Sequence, residues 1–201
     1  MSVIRNPRES HKRPQDFRIK YEDAAAVLGP HATIAANDAQ KPLYLQSKIA
    51  MIGAGVSGIS AAMTCLKQGE DDFVIFDKHD EFGGTWYANT YPGCACDIPA
   101  VWYSFHDEVN SNWSEVQPPQ YELEEYILKV VDKYGIRKKA FLGTAVTVLR
   151  YNDKEATWTI EARDVKSGRK RVHTAQLVLS GQGFLVQPKQ LSAPGLQEFQ
   201  G

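Results

Sequence analysis

The clearest pattern along the chain is a short apolar run, Ile49-Ala50-Met51-Ile52, that enters Gly53-x-Gly55-x-x-Gly58. Apolar residues then continue at helical spacing through Val56, Ile59, Met63 and Leu66. This order predicts strand, glycine turn and helix, the opening of a βαβ unit. After a turn at residues 69–72, Phe73-Val74-Ile75-Phe76 is a second continuous apolar run. Continuous apolar strands joined by a helix predict a parallel sheet covered on both faces. From about Pro118, Leu123, Ile127, Val130, Val131 and Tyr134 recur with helical period until Gly135 stops them. Three strands follow, at residues 141–151, 156–162 and around 171–174, with Asn152-Asp153 and Ser167-Gly168 as turns between them. They predict a small antiparallel meander inserted in the sheet domain. Gln176-Leu177-Val178-Leu179 then returns the chain to the parallel sheet and ends in a second glycine turn, Ser180-Gly181-Gln182-Gly183.

The glycines carry the chemistry of the first turn. Gly53 permits the tight turn, Gly55 lets backbone approach a pyrophosphate, and Gly58 lets the helix pack close to the strand. The N–H groups at the helix start, around Val56 and Ser57, and the positive end of the helix dipole then face the phosphates. Asp77 ends the second strand 24 positions after Gly53. A carboxylate near that spacing accepts hydrogen bonds from the adenosine ribose hydroxyls, which favours FAD or NAD over NADP. Glu81-Phe82-Gly83-Gly84-Thr85-Trp86 follows at once. A plain nicotinamide domain has no need of another glycine pair here. A flavin's longer reach does, with Gly84 allowing backbone approach, Thr85 offering a hydroxyl and Trp86 a flat face.

Residues 89–105, rich in aromatics, proline and glycine, are too irregular for one helix or strand and read as a structured, site-lining loop. Cys94-x-Cys96 lacks the second pair or nearby histidines that a tetrahedral metal site requires, so both read as small buried thiols and no metal is expected. Asp97, between Cys96 and Ile98-Pro99, is a carboxylate in apolar company and is expected to need a cation or donors. The five histidines show no ligand spacing.

Residues 1–46 are polar, begin basic, and carry prolines at 7, 14, 30 and 42, so they read as an arm preceding a domain over residues 47–201; residues 21–28 could form a short helix. With 201 residues the chain can bury a real core, and a net charge of -1 argues against a nucleic-acid partner. No apolar run reaches membrane-spanning length. The N-terminus has no signal-peptide pattern, and three cysteines without a disulfide framework fit a reducing, cytoplasmic setting.

The segments GAGVSG, VIFDK, GGTW, NTYPGCACDIP, WYSF and LSGQGFLVQPKQLSAPGL, in that order, resemble the N-terminal region of Baeyer-Villiger monooxygenases, flavin-dependent class B monooxygenases. The similarity runs from about Gln46 to Gly201. The arm also looks like that of fungal members in aromatic polyketide pathways of the aflatoxin and sterigmatocystin type. The resemblance implies an α/β fold: a Rossmann-like FAD-binding domain with a parallel sheet and the inserted meander. It implies FAD held by Gly53, Gly55, Val56, Ser57, Gly58 and Asp77, by the loop residues Gly84, Thr85 and Trp86, by Asp97 and Tyr103 near the isoalloxazine, and by Val146 beside the adenine. It implies NADPH as co-substrate, O2, a peroxyflavin, and insertion of oxygen beside a ketone carbonyl to give an ester or lactone. Asp97 matches a carboxylate thought to pair with an arginine over the flavin. Phe199-x-Gly201 looks like the start of the family's FxGxxxHxxxW fingerprint. A second GxGxxG for NADPH is missing, so the chain reads as the first part of a longer enzyme and as a poor catalyst alone. Two other readings stay open: a flavin monooxygenase that oxidises nitrogen or sulfur, and a non-catalytic flavin-binding remnant. Oligomeric state is not legible.

Overall fold

The computed structural model describes residues 18–20, 43–184, 192–196 and 198–200. The helix expected over residues 21–28 and most of the basic arm lie outside the described residues. The strands are β1 (Arg18–Lys20), β2 (Leu43–Ile52), β3 (Phe73–Phe76), β4 (Ala140–Phe141), β5 (Thr144–Asn152), β6 (Thr157–Asp164) and β7 (Lys170–Ser180). The helices are α1 (Val56–Lys67), the single turn α2 (Thr85–Ala88) and α3 (Gln120–Lys133), with a 3-10 turn at Ile136–Lys139. All strands join one seven-stranded mixed sheet in the order β1-β5-β6-β7-β2-β3-β4. The α/β, Rossmann-like class with an antiparallel part is therefore present as expected.

Three parallel strands end side by side. Ile52 of β2 is in register with Phe76 of β3 and with Ser180 of β7, so the loops after all three open at one edge of the sheet. In open α/β sheets that edge is where ligands bind.

One face of the sheet carries the helices. Ile59, Ala62 and Met63 of α1 and Leu123, Ile127, Val130 and Val131 of α3 pack with Met51, Phe73 and Ile75. On α3 these apolar positions recur at three- and four-residue steps, which places them on one stripe. The opposite face carries Ala50, Ile52, Val74 and Phe76, over which Val146, Leu149, Ile160 and Ala162 of the meander pack. The continuous apolar runs of β2 and β3 are thereby buried on both sides, one by helices and one by strands.

Three boundaries differ from the sequence expectation. Strand β2 begins at Leu43 rather than near Lys48, because its more polar half pairs in parallel with β7 from Leu43↔Arg171 onward. The strand expected over residues 141–151 is two: Gly143 turns at a φ of +58°, so β4 pairs with β3 before β5 starts the meander. The two strands expected at residues 171–174 and 176–179 are one, β7, which pairs with β6 along its first half and with β2 along nearly all of its length. Only Ala175 separates the two predicted runs, and alanine does not break a strand.

His173 lies inside this junction at 3% exposure, edge-on to Phe76 with ring centroids 5.4 Å apart. Its Nε2 is 2.8 Å from Ser47 Oγ, while Nδ1 has no partner. Burial lowers its pKa below the ordinary histidine value. The unfolded chain therefore takes up a proton at a higher pH than the folded one, and stability falls as pH drops below about 6.5. His173→Leu is expected to remove that slope: denaturant midpoints at pH 7.5 and 5.5 should lie closer together in the variant than in the parent. An equal pH dependence in both would exclude His173 as its source.

Candidate functional site

The β2–α1 turn is built on two close approaches of main chain. A Cβ at Gly58 would lie 1.9 Å from Gly53 O, so only glycine lets α1 sit on the end of β2. Gly53 adopts a φ of +107°, and a Cβ there would lie 2.5 Å from Gly181 O in the turn after β7. The turn is tied to its neighbours through Gly53 N–H donating to Phe76 O at 2.8 Å and Gly181 N–H donating to Ile52 O at 2.7 Å. Helix α1 starts at Gly55 with no side-chain cap and no acid in its first turn. Its first N–H groups and positive dipole end face out from the strand ends.

The second glycine pair packs against this turn. Gly83 N–H donates to Ala54 O at 3.1 Å, and Gly84 adopts a φ of +58°. A Cβ at Gly84 would lie 2.8 Å from Gly55 Cα. The two glycine segments thus touch through bare backbone. Beyond Gly84 the chain makes the single turn α2, in which Trp86 is 8% exposed and donates from Nε1 to Tyr103 Oη at 2.9 Å. The two rings meet edge-to-face with centroids 5.5 Å apart.

Asp77 closes the other side. One carboxylate oxygen accepts Ala54 N–H at 2.7 Å, and the other accepts His79 N–H at 2.8 Å with His79 Nδ1 3.2 Å away. Burial pushes the carboxyl pKa up, but the hydrogen bonds from His79 and from the Ala54 and His79 main chain outweigh it and hold the group below its ordinary value. Asp77 is therefore a carboxylate at neutral pH. Two oxygens offer about four lone-pair sites, so acceptor capacity remains for a ligand.

These segments enclose a cleft of about 570 Å³. Of the residues expected at the site, Gly53, Gly55, Val56, Ser57, Asp77, Gly84, Thr85, Trp86, Tyr103 and Val146 line it, brought from five separate stretches of chain. Gly58 lies beneath the lining, holding α1 to β2. Asp97 stands apart. It is exposed, is not part of the lining, and its main-chain O accepts from Gln117 Nε2 at 3.0 Å. The apolar residues beside it in sequence do not enclose it, because Ile98 is itself exposed. Cys94 and Cys96 are buried thiols. The lining also includes Lys78, His79, Thr144, Ala145, Gln182 and Phe184, of which Phe184 is 91% exposed at the mouth. His79 follows Asp77 at the spacing of an Asx turn, a usable signal. Thr144 and Ala145 carry no such signal, since the β4–β5 corner brings them in.

Residues 51–116 match the family model of NAD(P)-binding Rossmann-like domains. A Baeyer-Villiger monooxygenase of Pseudomonas aeruginosa is 38% identical over 154 residues, covering 77% of this chain and 28% of that protein. An FAD-binding monooxygenase, tazF, of Aspergillus terreus is 34% identical, with coverage of 77% and 28%. Among solved structures, a mutant cyclohexanone monooxygenase from Rhodococcus sp. Phi1 bound to NADP+ superposes with a TM-score of 0.66 at 33% identity, covering 76% of this chain and 29% of that one. The chain thus spans less than a third of the length of these relatives.

Proposed function

We propose that this chain, an N-terminal region of the Baeyer-Villiger monooxygenase type by its likeness to those relatives, forms the FAD-binding part of such an enzyme. The observation that carries the reading is the convergence on one cleft of the glycine turn, the acidic strand end and the GGTW segment. The residues fit the cofactor. The uncapped start of α1 receives the pyrophosphate, and Gly55 and Gly84 form a cradle that side chains would fill. Asp77 accepts from the adenosine ribose, with Val146 on the adenine side. Trp86, Thr85 and Tyr103 lie at the flavin end.

Held by these residues, FAD would supply the redox chemistry of the reaction, in which NADPH and a proton provide the reducing equivalents, one oxygen atom of O2 enters beside a ketone carbonyl and the other leaves as water. This chain's residues bind and orient the FAD. By the resemblance alone, Asp97 would be the carboxylate that pairs with an arginine near the flavin; in this structure it is exposed and outside the cleft lining. A place in fungal secondary metabolism and a cytoplasmic setting belong to the same proposal, as does the division into an arm and a domain, with the boundary moved from residue 47 back to Leu43, where β2 begins. Among the described residues no helix is long and apolar enough to cross a membrane.

The test is an FAD titration of the chain, followed by flavin absorbance and fluorescence, with Gly55→Val beside it. A Cβ at Gly55 already lies 3.4 Å from Gly84 Cα, so valine's two further methyl groups project into the cradle. FAD is expected to bind the parent and to lose at least about tenfold in affinity in the variant while the far-ultraviolet spectrum stays the same. Equal binding by both would remove the phosphate turn from the reading. The reaction is tested by product: ketone, NADPH and O2 should give an ester or lactone, whereas sulfoxide or hydroxylamine formation from sulfide or amine substrates alone would favour a nitrogen- or sulfur-oxidising enzyme.

A further inference from the structure

We infer that Gln120, which does not line the cleft, is a positioning residue that fixes the Trp86–Tyr103 wall. The inference rests on the reading of the cleft as an FAD site with its flavin end at Trp86.

Helix α2 has only four residues, so its last carbonyls need partners from outside. Ala88 N–H donates to Gly84 O and Asn89 N–H donates to Thr85 O, so Trp86 O is among the carbonyls that no donor of the helix itself reaches. Gln120 supplies the donor: its Nε2 bonds to Trp86 O and also donates to Glu124 Oε2 at 2.7 Å. Gln120 is 9% exposed, so the amide does this work largely out of water.

Its own backbone is held as firmly. Gln120 is the first residue of α3, its N–H donates to Cys94 O at 2.9 Å, and Ala95 pairs with Pro119. Behind it, α3 is anchored by Tyr126, whose hydroxyl accepts Phe105 N–H at 2.8 Å and donates to Glu108 O at 2.7 Å. A rigid helix end therefore reaches across to a one-turn helix that has few ties of its own. Trp86 is gripped twice, by Gln120 at its carbonyl and by Tyr103 at its indole. Removing the first grip frees α2 to rotate and weakens the second.

This role predicts a selective defect. The adenosine end of the cleft depends on Asp77 and the glycine turn, which Gln120 does not touch. Gln120→Met keeps the side chain's length and loses its donor. It is expected to weaken FAD binding by about tenfold, the scale of one buried hydrogen bond, while ADP binding stays within about twofold. Trp86→Phe keeps an aromatic ring, drops the indole N–H, and should give the same FAD-selective loss, which tests the Trp86–Tyr103 wall; Gln120→Leu, which also lacks the donor, replaces Gln120→Met in both readouts if the latter fails to fold.

A readout without flavin accompanies the titrations. In the apo chain the Trp86 indole N–H resonance, assigned by its disappearance in Trp86→Phe, should exchange with solvent at least about tenfold faster in Gln120→Met. Unchanged exchange would overturn the positioning role, and so would equal loss of FAD and ADP affinity, which marks general loosening. If the parent bound ADP and FAD equally well, the flavin-end reading would fall, and the indole exchange would still decide whether Gln120 holds Trp86.

Discussion

Gly58→Ala is expected to cost the domain a large part of its stability. The Cβ it adds would lie 1.9 Å from Gly53 O and 3.1 Å from Gly53 C, where ordinary C···O contacts begin near 3.3 Å. Both atoms are main chain at the end of β2, so no side chain can move aside. Relief requires α1 to lift from the strand, and that withdraws Ile59, Ala62 and Met63, all nearly inaccessible, from the helix-side core. The clash and the lost burial together place the cost above about 4 kcal/mol, beyond the ordinary range of point mutations. A domain of this size has roughly 5–15 kcal/mol to lose. The control is Ser60→Ala, two residues along the same helix and exposed, where higher helix propensity should add up to about 0.5 kcal/mol. Circular dichroism melts of the three proteins decide the matter. A Gly58→Ala melt within a few degrees of the parent would mean that the helix can shift without cost, and the close-packing argument would be wrong.

The same glycines explain how much was legible in the sequence. Gly53, Gly55, Gly58 and Asp77 announce themselves because each requirement is local: a positive φ, a missing Cβ, an acid one strand away. The runs of β2 and β3 were equally plain, since a strand buried on both faces is apolar throughout. The limits of β7 were not legible. Whether residues 170–180 form one strand or two depends on pairing with β6 and β2 at once, and no residue between Thr174 and Gln176 records it. The β4–β5 corner was hidden for a related reason, since Gly143 breaks a run that otherwise reads as one strand. Asp97 shows the opposite failure. Cys96, just before it, is buried, but Asp97 and Ile98 both point outward, so the apolar company in sequence does not surround the carboxylate. Nothing local marks Gln120, the first residue of α3. What sets it apart is an unpaired carbonyl 34 positions earlier, a relation that only the fold creates.

Asp77→Asn is expected to weaken the fold and the adenosine end of the cleft together, and to leave the flavin end alone. In the parent both oxygens already accept main-chain N–H groups, from Ala54 and His79, and the side chain is 10% exposed. Asparagine has one acceptor oxygen, so its NH2 must face one of those donors. Hydrogen bonds to a charged group contribute about 1.5–3 kcal/mol, and losing one should lower stability by that order at neutral pH. The pH dependence follows from the sign of the shift. A carboxyl whose folded pKa lies below its unfolded value stabilises the fold fully above about pH 4 and loses that contribution as pH falls through the folded value. Asp77→Asn should therefore converge with the parent in strong acid and differ from it at neutral pH. For binding, a lost ribose contact of about 2 kcal/mol is roughly thirtyfold in affinity, for FAD and ADP alike. FMN, which has no adenosine, should bind both proteins equally. That pattern is the mirror image of the one expected for Gln120→Met, and the pair of variants divides the cleft into its two ends. If stability fell while ADP and FAD affinities held, Asp77 would be a tie between the glycine turn and residues 78–79 only. The ribose would then need another acceptor among the lining residues, and the preference for an unphosphorylated ribose would lose its physical basis.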